Sequence, residues 1–287
     1  MYLLLIEAKI KSKGAFTMKN WKKRMAAALL TAVMAAGVVA NATPASAATL
    51  TAKQYLTKME KASKKAKSCE ITQIMSNNYT YQGQSVNAKV TYKMIKHMNP
   101  LQQKTTMTTV VKSDGADKSE KAVSYLKENK DGTITEYDPN ENGAYTETDV
   151  TEYIHKSEKF SYKNCSNAKI EKKSVKVNKI DTVKISYQIK GENLRVPLLQ
   201  LGVDEDQVKE LGVDLNSLKP IKGYVWIDKK TYYPVKEVID EKDLVNSYNE
   251  QLVKLELLEE TMEHSAYKYS LTYTNYNKAK SFKFPKV

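Results

Sequence analysis

The chain has 287 residues, of which 41% are hydrophobic and 28% are charged. This balance is too apolar for a disordered polyelectrolyte, and a content of only 10 glycines and 7 prolines excludes collagen-like and low-complexity classes. The length is sufficient for a buried core in one or two domains. The formal net charge of +13 first suggests a nucleic acid or another anionic partner.

The start of the chain has the pattern of an export signal. The basic stretch Asn20–Arg24 precedes an apolar run from Met25 to Ala40, and Ala45-Ser46-Ala47 fits the site that signal peptidase cleaves. We therefore expect a secreted protein that charge alone could hold at the cell wall. The expected segments are an upstream extension over 1–17, a signal peptide over 18–47 that is cleaved after Ala47, and a single domain over 48–287.

The basic character is weaker in the mature chain than in the whole sequence. Seven lysines and arginines and one glutamate precede Ala48, so the formal net charge falls from +13 to +7. The mature chain has one arginine, Arg195, whereas proteins that read bases and phosphates favour arginine forks. We expect no nucleic acid partner and at most weak contact with an anionic cell wall or membrane surface.

The two cysteines, Cys69 and Cys165, both lie in the mature chain. In an exported protein such a pair favours a disulfide, which would stabilise the fold by roughly 4–5 kcal/mol on the chain-entropy model. Two buried thiols that never meet are the alternative.

Three segments have helical periodicity. The first is 51–67, where Thr51 and Gln54 form a capping box. The second is 194–218, where Asp204 and Asp214 each follow a Gly-Val pair and predict two short helices. The third is 242–262, where leucines recur at steps of three and four residues.

The rest of the mature chain alternates Tyr, Val or Ile with Thr or Lys, which is typical of antiparallel strands with one packed face. No βαβ rhythm is present, so the class is α+β and mainly β. The predicted strands are Cys69–Ile74, Val86–Ile95, Thr105–Val111, Val123–Glu128, Thr133–Tyr137, Ala144–Thr148, Lys169–Val177, Thr182–Ile189, Gly223–Ile227, Tyr233–Ile239, Tyr267–Tyr276 and Ser281–Phe284.

Catalytic signatures are missing from the sequence. His97, His155 and His264 are far apart, two cysteines cannot make a zinc pattern, and no nucleophile or phosphate-loop motif occurs. Carboxylates are too common to indicate acid–base chemistry. We therefore expect a protein that is not an enzyme, with no cofactor and no metal.

One segment resembles a calcium loop. Asp138, Asn140, Asn142 and Asp149 follow the spacing of the oxygen ligands in such loops, with Gly143 at the sharp turn. However, the last ligand should be a glutamate, and a strand precedes the segment where a helix should stand. A plain hairpin turn explains the same residues and is the preferred interpretation.

The segment Tyr224-Val-Trp226-Ile-Asp228-Lys-Lys-Thr231-Tyr-Tyr-Pro234 resembles the Trp-Ile-Asp-x-x-Thr-x-x-Pro hairpin of the LolA/LppX-like lipoprotein-carrier superfamily. More closely, the mature chain is similar to secreted relatives in Gram-positive bacteria, which also end in a Tyr-x-x-Tyr-Asn motif such as Tyr273–Asn277. The resemblance implies a strongly curved antiparallel half-barrel. An N-terminal helix and helical inserts would cover its concave face.

In carrier members of the superfamily, acyl chains lie between the sheet and the helices. By resemblance, we expect a non-enzymatic binding protein for a lipid or another apolar ligand, acting as a monomer. The alternative is a cell-envelope interaction or sensory protein with a filled core and no small-molecule ligand. The residues expected to line the ligand site are Leu194, Val196, Leu198, Leu199, Leu252, Leu255 and Trp226.

Overall fold

The computed structural model describes residues 50–81, 83–113, 116–140 and 142–286. The expected extension over 1–17 and the expected signal peptide over 18–47 lie outside the described residues. No helix in the described part of the chain is both long and apolar enough to span a membrane.

Helix α1 spans Ala52–Lys65 and begins at the residues that the sequence indicated. The Thr51 hydroxyl accepts a hydrogen bond from the Gln54 backbone N–H at 3.2 Å, and the Gln54 side chain accepts one from the Thr51 N–H at 2.8 Å. These bonds satisfy two N–H groups that the first helical turn cannot. The predicted capping box is confirmed, and the helix ends two residues early because Ala66 is extended.

Among the described residues, four further α-helices interrupt or flank the strands. The sequence predicted a helix over 242–262, but α5 ends at Lys254 and a turn with Glu256 at φ 56° follows. Asp204 caps α4 as expected, whereas Asp214 caps only a turn, through a hydrogen bond from the Asn216 N–H. The helices are α2 Thr151–Ser157, α3 Arg195–Gln200, α4 Glu205–Glu210 and α5 Lys242–Lys254.

The described residues form eleven strands, all paired in one antiparallel sheet. The predicted mainly-β antiparallel class is therefore confirmed. The strands are β1 Ser68–Tyr81, β2 Gln84–Met98, β3 Leu101–Ser113, β4 Ala116–Glu128, β5 Ile134–Pro139, β6 Tyr145–Asp149, β7 Ser166–Val177, β8 Ile180–Ile189, β9 Ile221–Asp228, β10 Pro234–Asp240 and β11 Glu263–Thr274.

The sheet is two meanders joined at their centre. Its strand order is β6-β5-β4-β3-β2-β1-β11-β10-β9-β8-β7, so the last strand pairs with the first. The edges are β6 and β7, which leaves the sheet open. The connection between these edge strands carries α2 and a short helical turn, Tyr162–Asn164.

The predicted strand at Ser281–Phe284 is wrong, because these residues have no regular structure. They pack through their rings instead. Phe282 lies 6.1 Å from Tyr125, and Phe284 lies 5.9 Å from Tyr137, between ring centroids. The alternation of aromatic residues in this tail therefore serves packing against the sheet.

The helices α1–α5 lie on one face of the sheet, here called the inner face. Strand residues alternate between this face and the outer face. On β9, for example, Val225 and Ile227 are inner, while Tyr224 and Trp226 are outer. The largest hydrophobic cluster joins the inner face of β8 and β9 to α1, α3, α4 and α5. Helix α2 packs on β5 in a smaller cluster through Ile154.

Candidate functional site

The inner face has two halves with different coverage. In the covered half, formed by β8–β10, helices fill the space above the sheet. In the open half, formed by β1–β3 and β11, several apolar side chains on the same face remain partly exposed above a small buried cluster. These side chains are Met75, Met98, Met107 and Tyr269.

The residues expected to line a ligand site fall into separate groups in the structure. Leu194, Leu198 and Leu252 are at most 1% exposed and belong to the core of the covered half. Leu255 follows the end of α5 and is 41% exposed. Trp226 lies on the outer face, opposite the helices.

The remaining two, Val196 and Leu199, line a cleft of about 190 Å³ beside α2, α3 and α4. Charged side chains surround this cleft. The Arg195 guanidinium lies 2.5 Å from a carboxylate oxygen of Glu192 and 2.9 Å from one of Glu205. The volume is below the 300–1,000 Å³ that is typical of small-molecule sites. The cleft is therefore a small, polar feature whose arginine is already engaged by carboxylates.

A buried carboxylate holds the covered half together. Glu237 on β10 is 0% exposed, and its oxygens accept hydrogen bonds from the hydroxyls of Tyr162, Tyr187 and Tyr273 at 2.6, 2.5 and 3.1 Å. Burial raises the pKa of Glu237, while the three hydrogen bonds act to lower it. The group joins the turn at Tyr162 to strands β8, β10 and β11.

Gly223 makes room for one of these tyrosines. Gly223 on β9 is the register partner of Tyr187 on β8, and both are inner. A Cβ at Gly223 would lie 2.1 Å from the Tyr187 ring, so only glycine lets the ring cross the strand. The Tyr187 hydroxyl then reaches Glu237.

A second acidic residue lies where the two halves meet. Glu241, at the end of β10, is 3% exposed, and burial raises its pKa to about 8, so its carboxyl is mostly protonated at pH 7. A hydrogen bond with the Tyr269 side chain acts to lower the pKa, and Asp240 raises it further. A protonated carboxyl can donate a hydrogen bond to a neighbouring acceptor.

His264 lies at the same end of the open half and is neutral at pH 7. Burial lowers its pKa to about 4. Its Nδ1 lies 2.9 Å from Oδ1 of Asn77, and its ring contacts the rings of Tyr79 and Tyr267. These contacts explain a structural role for His264.

The predicted disulfide is wrong. Cys69 and Cys165 are both free and buried, and they belong to different hydrophobic clusters. Burial raises the pKa of Cys69 to about 11 and that of Cys165 to about 12, so both are neutral thiols. Cys69 is the register partner of Lys96, whose pKa burial lowers. The alternative of two buried thiols is the correct one.

The segment that resembles a calcium loop forms a hairpin between β5 and β6, which was the preferred interpretation. Asn140 Oδ1 accepts hydrogen bonds from the N–H groups of Asn142 and Ala144, which fixes the turn between β5 and β6. Asp138 and Asp149 point to opposite faces of the sheet. Within the described residues no cluster of His, Cys, Asp and Glu could hold a metal ion.

The hairpin between β9 and β10 explains the motif on which the superfamily resemblance depends. The Asp228 carboxylate accepts hydrogen bonds from the Lys230 N–H at 2.9 Å and from the Thr231 hydroxyl at 2.6 Å. The Asp228 backbone N–H also bonds the carbonyl of Tyr233 at 3.0 Å. Aspartate and threonine three residues apart therefore specify this turn.

Sequence reasoning missed Glu237 and Glu241. A signal for Glu237 was present, because it falls between Val235 and Ile239 in the alternation of β10 and so takes an inner position. A glutamate at a core position requires hydrogen-bond partners. Nothing local identifies those partners, since Tyr162, Tyr187 and Tyr273 come from three distant segments.

Comparison with known proteins yields likenesses to solved structures only. The sequence matches no protein-family model and no curated protein. Among solved structures, one match is the crystal structure of a DUF1329 family protein from Desulfovibrio piger. It covers 80% of this chain and 93% of that chain at 8% identity, with a TM-score of 0.25. At this TM-score, the likeness supports no conclusion about the fold or the function of this chain.

Proposed function

We propose that this protein is an exported, non-enzymatic binding protein that holds a lipid or another apolar ligand on the open half of its inner face. We also propose that it belongs to the LolA/LppX-like superfamily. Two features support this membership. The sheet is open and antiparallel with its helices on one face, and the Asp228–Thr231 turn has the residues of the superfamily hairpin.

The observation that carries the proposal is the partial exposure of apolar side chains in the open half. Met75, Met98 and Met107 stand on the inner face and keep solvent access beside the helix-covered core. Methionine is unbranched and polarizable, so it adapts to flexible apolar ligands. Tyr267 and Tyr269 are partly exposed on this face, and a polar end of the ligand would compete for the hydrogen bond that the Tyr269 side chain makes with the buried Glu241.

One observation favours the alternative, an envelope interaction or sensory protein without a small-molecule ligand. In the covered half, Leu194, Leu198 and Leu252 are at most 1% exposed and pack in the core between sheet and helices. A ligand therefore has to bind beside the helices, across the methionines. The two functions differ in whether the delipidated protein takes up an amphiphile.

The test is a titration of delipidated protein with a fluorescent fatty acid and with a fluorescent phospholipid. Met107→Asp places a charge on the inner face and should weaken binding by about tenfold or more, because a buried charge is costly. Thr108→Asp is the matched control, since its side chain points to the outer face of the same strand. It should leave binding unchanged.

Uptake of neither probe by the unmodified protein would contradict the proposal and favour the alternative. Equal binding by Met107→Asp and the unmodified protein would show that the ligand binds outside the open half. Circular dichroism on both variants checks that the sheet is intact.

A further inference from the structure

A row of basic side chains crosses the outer face of the sheet. The pairing registers place one outer residue from each of six neighbouring strands, β2, β1, β11, β10, β9 and β8, at the same level. We call these residues the lysine row: Lys93, Thr72, Thr272, Lys236, Trp226 and Lys184.

The row is long enough to meet an extended molecule. Neighbouring strands lie about 4.8 Å apart, so Lys184 and Lys236 stand about 10 Å apart across the sheet and Lys236 and Lys93 about 14 Å apart. The row therefore spans about 24 Å. Thr72 and Thr272 fill the interval between Lys236 and Lys93 with hydroxyl groups.

Aromatic rings hold two of the lysines in place. The ammonium groups of Lys184 and Lys236 lie 5.1 and 5.3 Å from the centroid of the Trp226 ring, which comes from the strand between them. Lys184 also lies 4.5 Å from the Tyr224 ring centroid. Cation–π contacts of this kind order a lysine without neutralising its charge. These side chains therefore lose less conformational entropy when a partner binds.

The row itself contains no carboxylate, and within the described residues no ion pair engages Lys93, Lys184 or Lys236. On one side, the next level of the outer face contains Glu70 and Asp228, whose carboxylates accept hydrogen bonds from Asn275 and Thr231. On the other side, the next level contains Lys121, Thr108, Thr91, Ile74, Ser270, Val238, Tyr224 and Ser186, and the Ser186 hydroxyl donates to Glu171 of β7. The row is therefore a basic strip, rich in hydroxyl groups, between levels whose carboxylates are engaged by hydrogen bonds.

We propose that the lysine row binds a linear polymer of phosphate groups laid across the strands. Lysine ammonium groups bind phosphate oxygens as point charges, and threonine hydroxyls can donate to the oxygens between them. A flexible polyanion can satisfy several separated charges at once, which a single phosphate ion cannot.

Two other classes of polyanionic partner fit the surface less well. A nucleic acid would need exposed rings for its bases to stack on, and the Trp226 ring already has lysines against it. A membrane would need apolar side chains to insert, and the large exposed hydrophobic residues of the described chain, Ile180 and Leu255, lie outside the row. The inference concerns the outer face and does not depend on ligand binding at the inner face.

The test is binding of long-chain inorganic polyphosphate to the full mature protein at several salt concentrations. The triple variant Lys93→Gln, Lys184→Gln, Lys236→Gln should bind about tenfold more weakly or worse, and its salt dependence should fall by about one unit of slope for each lysine that contacts phosphate. The matched control is Lys53→Gln, Lys61→Gln, Lys65→Gln, which removes the same charge from exposed positions of α1. It should bind within about twofold of the unmodified protein.

Equal losses in the two triple variants would overturn the proposal, because net charge alone would then explain binding. No polyphosphate binding at low salt would also overturn it. So would binding of a single-stranded oligonucleotide or of phosphatidylglycerol vesicles in preference to polyphosphate. If the triple variant does not fold, Lys93→Gln alone, at an exposed position, should still weaken binding more than Lys61→Gln does.

Discussion

The two halves of the inner face differ in how their apolar side chains and carboxyl groups are covered. In the covered half, helices bury the apolar side of β8 and β9, and the buried carboxylate of Glu237 has three hydroxyl donors. In the open half, methionines remain partly exposed, and the neighbouring carboxyl, Glu241, has one tyrosine partner. The difference indicates that the covered half stabilises the fold, and it is consistent with the proposal that a ligand binds at the open half.

The largest effect that this comparison predicts is at Glu237. Glu237→Ala should lower the free energy of unfolding by about 3–5 kcal/mol, because it leaves three buried tyrosine hydroxyls without their acceptor and opens a cavity. Urea denaturation followed by circular dichroism measures the change. Glu237→Gln keeps one acceptor oxygen and should cost less than the alanine variant. A loss below about 1 kcal/mol for Glu237→Ala would mean that the tyrosines find other acceptors, and the covered half would then not depend on this cluster.

Truncating one side chain in each half should lower the free energy of unfolding by different amounts. Leu198→Ala removes a 0% exposed side chain from the covered half and should cost about 3 kcal/mol. Met107→Ala removes a partly exposed side chain from the open half and should cost about 1 kcal/mol, because less buried area and a smaller cavity are involved. Urea midpoints of the two variants provide the comparison. Similar losses would show that the open half is packed as tightly as the covered half.

The local structure of most elements could be predicted from the sequence. Thr182–Ile189 alternates because every second residue packs under helices, and Thr51 with Gln54 fixes the start of α1. These signals depend on residues that are only a few positions apart in the sequence. Helix α2 was missed because seven residues, Thr151–Ser157, are too few to show helical periodicity.

Contacts between distant segments could not be predicted. Pairing of β1 with β11 joins residues about 200 positions apart, and the alternation of each strand is the same whichever partner it takes. For the same reason the sequence suggested a strand at Ser281–Phe284 and a bond between Cys69 and Cys165. The fold leaves those segments without a strand partner or a nearby thiol.

The smallest effect concerns the pH dependence of stability at the border of the two halves. The pKa of Glu241 is raised from 4.5 to about 8 by burial, so between these values the folded protein binds a proton that the unfolded chain releases. Stability from this group is complete at low pH and is lost as the pH rises toward 8. His264 has the opposite sign, since its pKa falls from 6.5 to about 4 and its contribution is lost as the pH falls below 6.5.

Above pH 6.5 the contribution of Glu241 changes much more than that of His264, which makes this window the informative one. Between pH 6.5 and 8 the unmodified protein should lose about 1.5 kcal/mol of unfolding free energy relative to Glu241→Gln, which carries no titrating proton at this site. Urea denaturation of both proteins at several pH values measures the difference and cancels other titrating groups. Parallel curves would mean that Glu241 is already ionised at pH 6.5. The border of the open half would then carry a negative charge, and it would favour ligands with a cationic end over ligands with an acceptor for the Glu241 proton.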